Sequence, residues 1–193
     1  VTSFLCTPGI IQVEDLNYAP PDSKFTPLYL ATLSGSHKIL NLLFESGATI
    51  PNNRLASPVI QAINCKNYKC LSILLSHTTP GRDEKDFSPI MIAISHHFME
   101  AVPILVENGS DIHYQTPEGK NALYLACLLK NEKLVRYLVD NGVNVSLPGY
   151  MGQCPIHWAA ASDNVDIVNY LISNGAVVNV KDTRGRLPTF SAI

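Results

Sequence analysis

Cys154 and His157 are the two residues of this chain whose types and spacing best suit chemistry. Three positions apart on one helical turn, their side chains could reach the same metal ion or form a thiolate–imidazole pair for nucleophilic catalysis. His96 and His97 suit a shared metal poorly, because adjacent side chains point about 100° apart on a helix. The motifs of phosphate-binding loops, zinc proteases and serine hydrolases do not occur in the sequence. We therefore expect no enzyme activity, no cofactor and no metal.

The composition is that of a folded protein with nearly balanced charge. Hydrophobic residues make up 46% of the 193 residues and charged residues 16%, which excludes disorder over most of the chain. A formal net charge of −2 argues against nucleic-acid binding, which normally needs a basic face. No apolar run approaches the roughly 20 residues of a membrane-spanning helix, so we expect no membrane insertion within this segment.

The cysteines indicate the compartment. Cys6, Cys65, Cys70, Cys127 and Cys154 are odd in number and form no metal-binding cluster. In a chain of this length the pattern is typical of reduced thiols, so we expect a cytoplasmic location, with the nucleus as an alternative. Cys70 falls at an apolar position of the repeat described next, and we expect it to be a small buried hydrophobic residue.

A six-residue motif recurs six times along the chain. The first three copies are Thr26-Pro-Leu-Tyr-Leu-Ala31, Ser57-Pro-Val-Ile-Gln-Ala62 and Ser88-Pro-Ile-Met-Ile-Ala93, and the others begin at Asn121, Cys154 and Leu187. The second positions of successive copies are 31, 31, 33, 33 and 33 residues apart. Ser or Thr before Pro favours a helix start, because the hydroxyl caps free N–H groups and Pro fits the first turn.

A second helix is predicted after each of the first five motifs. Apolar residues at helical spacing, such as Leu40 and Leu43, would face the core. A glycine that ends this helix follows in four copies, at Gly47, Gly109, Gly142 and Gly175. Pro103 lies within the second helix of the third copy, where we expect a kink because Pro removes one backbone hydrogen bond.

With this period and a start similar to Thr-Pro-Leu-His-x-Ala, the chain resembles the ankyrin-repeat family from about Ser23 to its end. The resemblance implies an all-α ankyrin solenoid of stacked helix-turn-helix units with short hairpin or loop connections. One unit cannot bury its own apolar face, so neighbouring units must stack. The resemblance also implies that Cys154 and His157, at the Thr and His positions of the motif, make a structural hydrogen bond within the turn.

The motif spacing sets the predicted boundaries. The repeats span residues 23–53, 54–84, 85–117, 118–150 and 151–183, with a truncated sixth at 184–193. Residues 1–22 match no motif and are either the remnant of a preceding repeat or an irregular segment over the first one. The sixth repeat stops before its second helix, so we expect the natural polypeptide to continue.

The resemblance implies that a partner would bind the concave face, which hairpin tips and inner-helix ends form. The residues predicted there are Phe25, Leu33, Phe87, His96, Lys120, Leu128, Leu129, Tyr150, Met151, Gln153, Arg184 and Arg186. Four of them are expected to form one exposed apolar patch, namely Leu128, Leu129, Tyr150 and Met151, unless a flanking segment or a shifted hairpin covers them. Trp158 is expected to pack between inner helices, with a ligand contact as the alternative.

We therefore expect a non-catalytic protein–protein interaction module, a scaffold or adaptor that presents a rigid concave face to a protein or peptide. The alternative is a regulatory or substrate-recruiting ankyrin region of a larger protein, such as a ubiquitin ligase adaptor, another enzyme or an ion channel. The repeat specifies the fold far better than the function, because one fold serves many unrelated proteins.

Overall fold

The computed structural model describes residues 16–19, 25–51, 57–78 and 87–188, and they contain ten α-helices in five consecutive pairs. The helices are α1 Pro27–Leu33, α2 His37–Glu45, α3 Pro58–Asn64, α4 Tyr68–Leu75, α5 Pro89–Ser95, α6 Ala101–Glu107, α7 Ala122–Leu128, α8 Glu132–Asp140, α9 Pro155–Ala161 and α10 Val165–Ser173. No β-strand forms in this part of the chain, where one isolated bridge joins Gln115 to Asn121. The predicted all-α fold is confirmed, while most of segment 1–22 and residues 189–193 of the sixth repeat lie outside the described residues.

The first helix of each pair begins where the motif predicts. The side-chain oxygens of Thr26, Ser57 and Ser88 accept hydrogen bonds from the backbone N–H three residues on, at 3.3, 3.4 and 3.3 Å. Asn121 caps α7 in the same way, at 2.8 Å. These caps satisfy N–H groups that have no partner within a helix, so the polar residue of the motif determines the helix start.

The chain divides into two compact units, Val1–Ser110 and Asp111–Ile193, which we call the N-terminal unit and the C-terminal unit. In the N-terminal unit, α1, α3 and α5 pack side by side as an inner layer, and α2, α4 and α6 form an outer layer. In the C-terminal unit, α7 packs against α9 as an inner layer and α8 packs against α10 as an outer layer. Each inner helix also packs against the outer helix of its own pair.

The alanine that ends each of the first five motifs lies in the packed interior. Ala62, Ala93, Ala126 and Ala159 are fully buried, and Ala31 is nearly so. Protein interiors are close-packed, so a larger side chain at these sites would push neighbouring helices apart. The recurrence of a small residue therefore follows from the stacking of the inner helices.

The predicted kink at Pro103 is wrong. The helix α6 begins at Ala101, twelve residues after Pro89, whereas the other outer helices begin ten residues after the equivalent position. Pro103 therefore lies in the first turn of α6, where an N–H would have no partner within the helix. At this position proline removes no hydrogen bond from within α6, so the expected cause of a kink is absent.

The turn between the paired helices places one residue of each repeat in the left-handed backbone region. Gly35 fills this position in the first repeat, with a φ of 69°. Lys66, His97, Lys130 and Asp163 fill it in the next four, with φ of 51°, 55°, 55° and 54°. Side chains with a Cβ are sterically disfavoured there, so four repeats hold a strained residue where glycine would fit.

Candidate functional site

Three equivalent turns form the hairpin tips of the C-terminal unit. In each turn a backbone N–H donates to a carbonyl four residues on, from Thr116 to Lys120, from Gly149 to Gln153 and from Asp182 to Arg186, at 2.8, 2.9 and 3.0 Å. The shared hydrogen bond gives the turns one backbone pattern at intervals of one repeat. The three tips therefore present their side chains from the same backbone arrangement.

The first two tips touch through bare backbone. A Cβ on Gly149 would lie 2.6 Å from the carbonyl oxygen of Gly119, and one on Gly119 would lie 2.5 Å from the carbonyl carbon of Gly149. The Gln115 side-chain amide donates to the carbonyl oxygens of Gly119 and Pro148, at 3.1 and 3.0 Å. Only glycine allows so close an approach, which fixes the position of the second tip.

Met151, in the 3₁₀ turn Tyr150–Gly152 of the second tip, has a strained backbone with a φ of 56°. Its carbonyl oxygen accepts two hydrogen bonds from Thr183, at 3.0 Å from the N–H and 2.9 Å from the hydroxyl. Strained residues persist only where their surroundings hold them, and they cluster at functional sites. Thr183 of the next tip provides this support.

Five apolar and aromatic residues of the C-terminal unit form what we call the aromatic surface, namely Tyr124, Leu128, Tyr150, Met151 and Trp158. The rings of Tyr124 and Trp158 meet edge to face, with centroids 4.8 Å apart and an interplanar angle of 86°. Burial raises the pKa of Tyr124, and the neighbouring Tyr150 raises it further. Leu128 lies one helical turn beyond Tyr124 on the same face of α7.

The aromatic surface combines exposed and half-buried side chains. Leu128 is 46% exposed, and Tyr150 and Met151 are each 36% exposed. Trp158 is half-buried, and its indole nitrogen is a buried donor without a hydrogen-bond partner. Sequence reasoning placed Leu128, Leu129, Tyr150 and Met151 together but did not include Tyr124. The sequence contains the information needed to include Tyr124, because Tyr124 and Leu128 are four residues apart on one helix.

The other residues predicted for the concave face in this unit fall in different environments. Leu129 is half-buried and its backbone ends α7, and Lys120 is also half-buried. Gln153 is only 8% exposed, so the prediction of a surface side chain there is wrong. Its carbonyl closes the turn from Gly149, which draws the residue into the tip. Arg184 is exposed.

Arg186 is committed to an ion pair within the third tip. Asp182, which is buried, accepts hydrogen bonds from the backbone N–H groups of Arg184 and Arg186, both at 2.9 Å. The Arg186 guanidinium contacts the same carboxylate at 2.8 and 2.7 Å. Burial opposes ionisation of Asp182, but the hydrogen bonds from Arg186 and Arg184 and the charge of Arg186 lower its pKa to about 2.

The N-terminal unit has a smaller apolar surface on α1. Leu30 and Leu33 are 50% and 51% exposed, and the exposed ring of Phe25 stacks on Tyr29 with centroids 4.5 Å apart. The Tyr29 hydroxyl donates to Gln61 at 2.9 Å, which links α1 to α3. Sequence reasoning predicted Phe25 and Leu33 here. The motif frame instead assigns Leu30 to the packed apolar face of the inner helix, which is wrong because the side chain is half exposed. The remaining residues predicted for this unit are Phe87, which is half-buried, and His96, which is exposed.

The contacts of Cys154 and His157 are structural. His157 is fully buried, its Nδ1 accepts the backbone N–H of Cys154 at 3.2 Å, and its Nε2 lies 3.3 Å from the carbonyl oxygen of Arg186. Nε2 therefore carries the proton and donates to Arg186, so both ring nitrogens are occupied. Burial raises the pKa of the Cys154 thiol, which disfavours the thiolate that catalysis would need.

The part of the chain that the structure describes contains no group of three or more His, Cys, Asp or Glu side chains placed to hold a metal ion. None of the helices found there is long and apolar enough to cross a membrane. Cys70 is buried, as predicted, and Cys65 is exposed at the end of α3.

Comparison with known proteins identifies the repeat. A family model described as "Ankyrin repeats (3 copies)" matches residues 90–182. The fold matches the crystal structure of the human ASB11 ankyrin repeat domain with a TM-score of 0.79 and 25% sequence identity, over 99% of this chain and 85% of that one. The described residues have an ankyrin-repeat fold. An ankyrin repeat and KH domain-containing protein of Caenorhabditis briggsae is 27% identical over 123 residues, which cover 64% of this chain but only 5% of that relative.

Proposed function

We propose that this chain is a non-catalytic interaction module that binds a partner protein through the aromatic surface of its C-terminal unit. Ankyrin repeats are a protein–protein interaction fold. The observation that carries the proposal is the exposure of Leu128, Tyr150 and Met151 beside the Tyr124–Trp158 ring pair. Contiguous exposed apolar surface of this kind often marks an interface.

The residue types of the aromatic surface also favour binding. Tyr, Trp and Met are enriched in the buried centres of protein interfaces, and Tyr and Trp dominate the residues whose truncation costs most affinity. Arg is enriched as well, and the exposed Arg184 lies on the tip next to Met151. The partner surface that fits is an apolar one with an acceptor or an acidic group at its edge.

The contacts that hold the second tip in place also support a binding function. The tip of Tyr150 and Met151 is held by the glycine contact at Gly119 and by two hydrogen bonds from Thr183. A surface that is already ordered loses little conformational entropy on binding. We therefore expect little change of backbone shape between the free and the bound chain.

A second candidate site lies on α1 of the N-terminal unit. Leu30 and Leu33 are each about half exposed there, next to the stacked rings of Phe25 and Tyr29. This surface lacks a Trp or Met and shows no strained tip, so we place it second. Partner loss on Leu33→Asp rather than Tyr150→Asp would make it the binding site.

A comparative pull-down tests the proposal. The folded wild-type chain, Tyr150→Asp and Val165→Asp are used as baits in the same cell extract. Val165 is the matched control, because it is an exposed apolar residue on the outer helix α10 of the same unit. Proteins retained by wild type and Val165→Asp but lost by Tyr150→Asp support the proposal. Identical recovery with all three baits contradicts it.

The proposal includes the kind of protein to which this module belongs and the compartment in which it works. The ankyrin fold is typically non-catalytic, which supports a binding role over an enzymatic one. The alternative is a regulatory or substrate-recruiting ankyrin region of a larger protein, such as a ubiquitin ligase adaptor, another enzyme or an ion channel. Free thiols at Cys65, Cys70, Cys127 and Cys154 support a reducing compartment, so we place the chain in the cytoplasm, or alternatively in the nucleus.

A further inference from the structure

Three of the outer helices end in the same dipeptide, Asn-Gly. Asn108-Gly109 follows α6, Asn141-Gly142 follows α8 and Asn174-Gly175 follows α10. The three glycines take the left-handed conformation that ends the helix, with φ of 87°, 83° and 90°. The glycine nitrogen directly follows the asparagine in the chain, and the binding role does not require this pairing.

Asn-Gly steps are chemically labile because glycine has no side chain to hinder the approach of its own nitrogen to the asparagine amide. The glycine nitrogen attacks Cγ of the asparagine, a C–N bond forms, and the side-chain nitrogen leaves as ammonia with the glycine proton. Water then opens the resulting succinimide at either carbonyl and yields aspartate or isoaspartate. One water enters and one ammonia leaves, so the step needs no enzyme, oxidant or cofactor.

The folded helix ends occupy both reacting groups. The side-chain amides of Asn108, Asn141 and Asn174 donate to the carbonyl oxygen four residues earlier, at 2.8, 2.7 and 2.9 Å. The backbone N–H groups of Gly109, Gly142 and Gly175 donate to the carbonyl oxygen three residues earlier, at 3.0, 2.9 and 3.0 Å. Both hydrogen bonds must break before the nitrogen can attack, so the reaction requires local opening of the helix end.

We propose that the three Asn-Gly steps are latent deamidation sites, which the folded helix ends protect and which local opening of a repeat exposes. Their order follows from the packing of the helices that they end. On α10, Val165 and Ile172 are exposed, so this helix has the least support and Asn174 reacts first. Asn141 is slower because α8 exposes no large apolar side chain, and Asn108, which is half-buried, is slowest.

Conversion of one of these asparagines to aspartate or isoaspartate loosens the repeat that contains it. An aspartate cannot donate to the carbonyl that the asparagine amide holds, and its charge meets the negative end of the helix dipole. Isoaspartate also lengthens the backbone at the point where the glycine must turn. Each event is irreversible, so the chain accumulates loosened repeats with time spent in the open state. This inference stands independently of the proposed binding function.

Peptide mapping by mass spectrometry tests whether the folded helix ends protect the three asparagines from deamidation. The whole chain is held at mildly alkaline pH, either folded or in concentrated urea, and the converted fraction is followed at each of the three sites. We expect similar rates at the three sites in urea and rates lower on the order of tenfold or more when folded, with Asn174 reacting first. Equal rates in the two conditions or no conversion in urea would overturn the proposal. So would a folded chain in which Asn174 is not the first of the three sites to react.

Substitution tests the consequence. Asn141→Asp mimics the product, and Asn144→Asp is its matched control in the loop that follows. The Asn144 side chain accepts a hydrogen bond from the Ser146 N–H at 2.9 Å, which a carboxylate can also do. We expect Asn141→Asp to lower the melting temperature and Asn144→Asp to leave it nearly unchanged. Equal melting of both variants with wild type would show that conversion does not loosen the repeat.

Discussion

The carbonyl oxygen of Gly119 occupies the space that a Cβ on Gly149 would need, only 2.6 Å from its ideal position. This contact joins the tips of two successive repeats without any side chain between them. It fixes the backbone position from which the side chains of the next two residues, Tyr150 and Met151, extend. The aromatic surface therefore depends on a contact between residues 30 positions apart in the sequence.

Gly149→Ala is expected to destabilise the chain by about 1–3 kcal/mol, the usual cost of overpacking, measured by urea unfolding. Gly149 has a φ of −112° and a ψ of −141°, which lies outside the usual β region, so the variant tests the clash together with this backbone conformation. Gly142→Ala is the complementary variant, because a Cβ there meets nothing within 4 Å but the φ is 83°. Asn tolerates that conformation, so Gly142→Asn should recover stability whereas Gly149→Asn should not. Unfolding of Gly149→Ala at the wild-type urea concentration would show that the tips do not touch.

The sequence predicts the helices well because their signals are local. Ser57 and Ser88 start helices from their own side chains, and the recurring alanines, such as Ala126, predict close stacking. The exposure of Leu128, Tyr150 and Met151 also follows from the repeat frame.

The remaining features depend on contacts between repeats. Gln153 is drawn inward by the turn that Gly149 closes, and Met151 is strained because Thr183 of the next tip holds its carbonyl. The edge-to-face contact of Tyr124 and Trp158 needs the distance between two inner helices. A motif frame assigns each of these residues a position but not the neighbour that decides its environment.

Lys130→Gly is expected to stabilise the chain by about 0.5–1 kcal/mol, because Lys130 has a left-handed φ of 55° that glycine adopts without strain. Gly35 already fills the equivalent position in the first repeat. Lys133→Gly, on the exposed face of α8, is the matched control and should destabilise by about 1 kcal/mol. Thermal unfolding of both variants decides the point, and a loss of stability in Lys130→Gly would contradict the account of this turn.

Because of Asp182, the stability of the third tip depends on pH. Its pKa is lowered from an ordinary value of 3.8 to about 2, so its contribution is complete above 3.8 and is lost as the pH falls through about 2. The melting temperature of the wild-type chain should therefore fall more steeply over this range than that of Asp182→Asn. The variant should already melt lower at neutral pH, since Asn cannot form the ion pair with Arg186. Parallel pH profiles would refute the role given to this carboxylate.

Ala126→Leu is expected to destabilise the chain by about 1–3 kcal/mol, because it forces extra methylene groups into a fully buried site between inner helices. Ala161→Leu, at the exposed end of α9, is the control and should melt like wild type. Calorimetry of both variants tests the assignment. Unchanged melting of Ala126→Leu would mean that this alanine does not lie at a helix contact.

The central claim is tested most directly by titrating the captured partner into wild type, Tyr150→Asp and Val165→Asp and measuring each dissociation constant. We predict that Tyr150→Asp weakens binding by at least about 2 kcal/mol, the scale of a dominant interface residue. Its folding stability should stay within about 0.5 kcal/mol of wild type, because the side chain lies at the surface. Val165→Asp should bind as wild type does. A folded Tyr150→Asp chain with wild-type affinity would contradict the account.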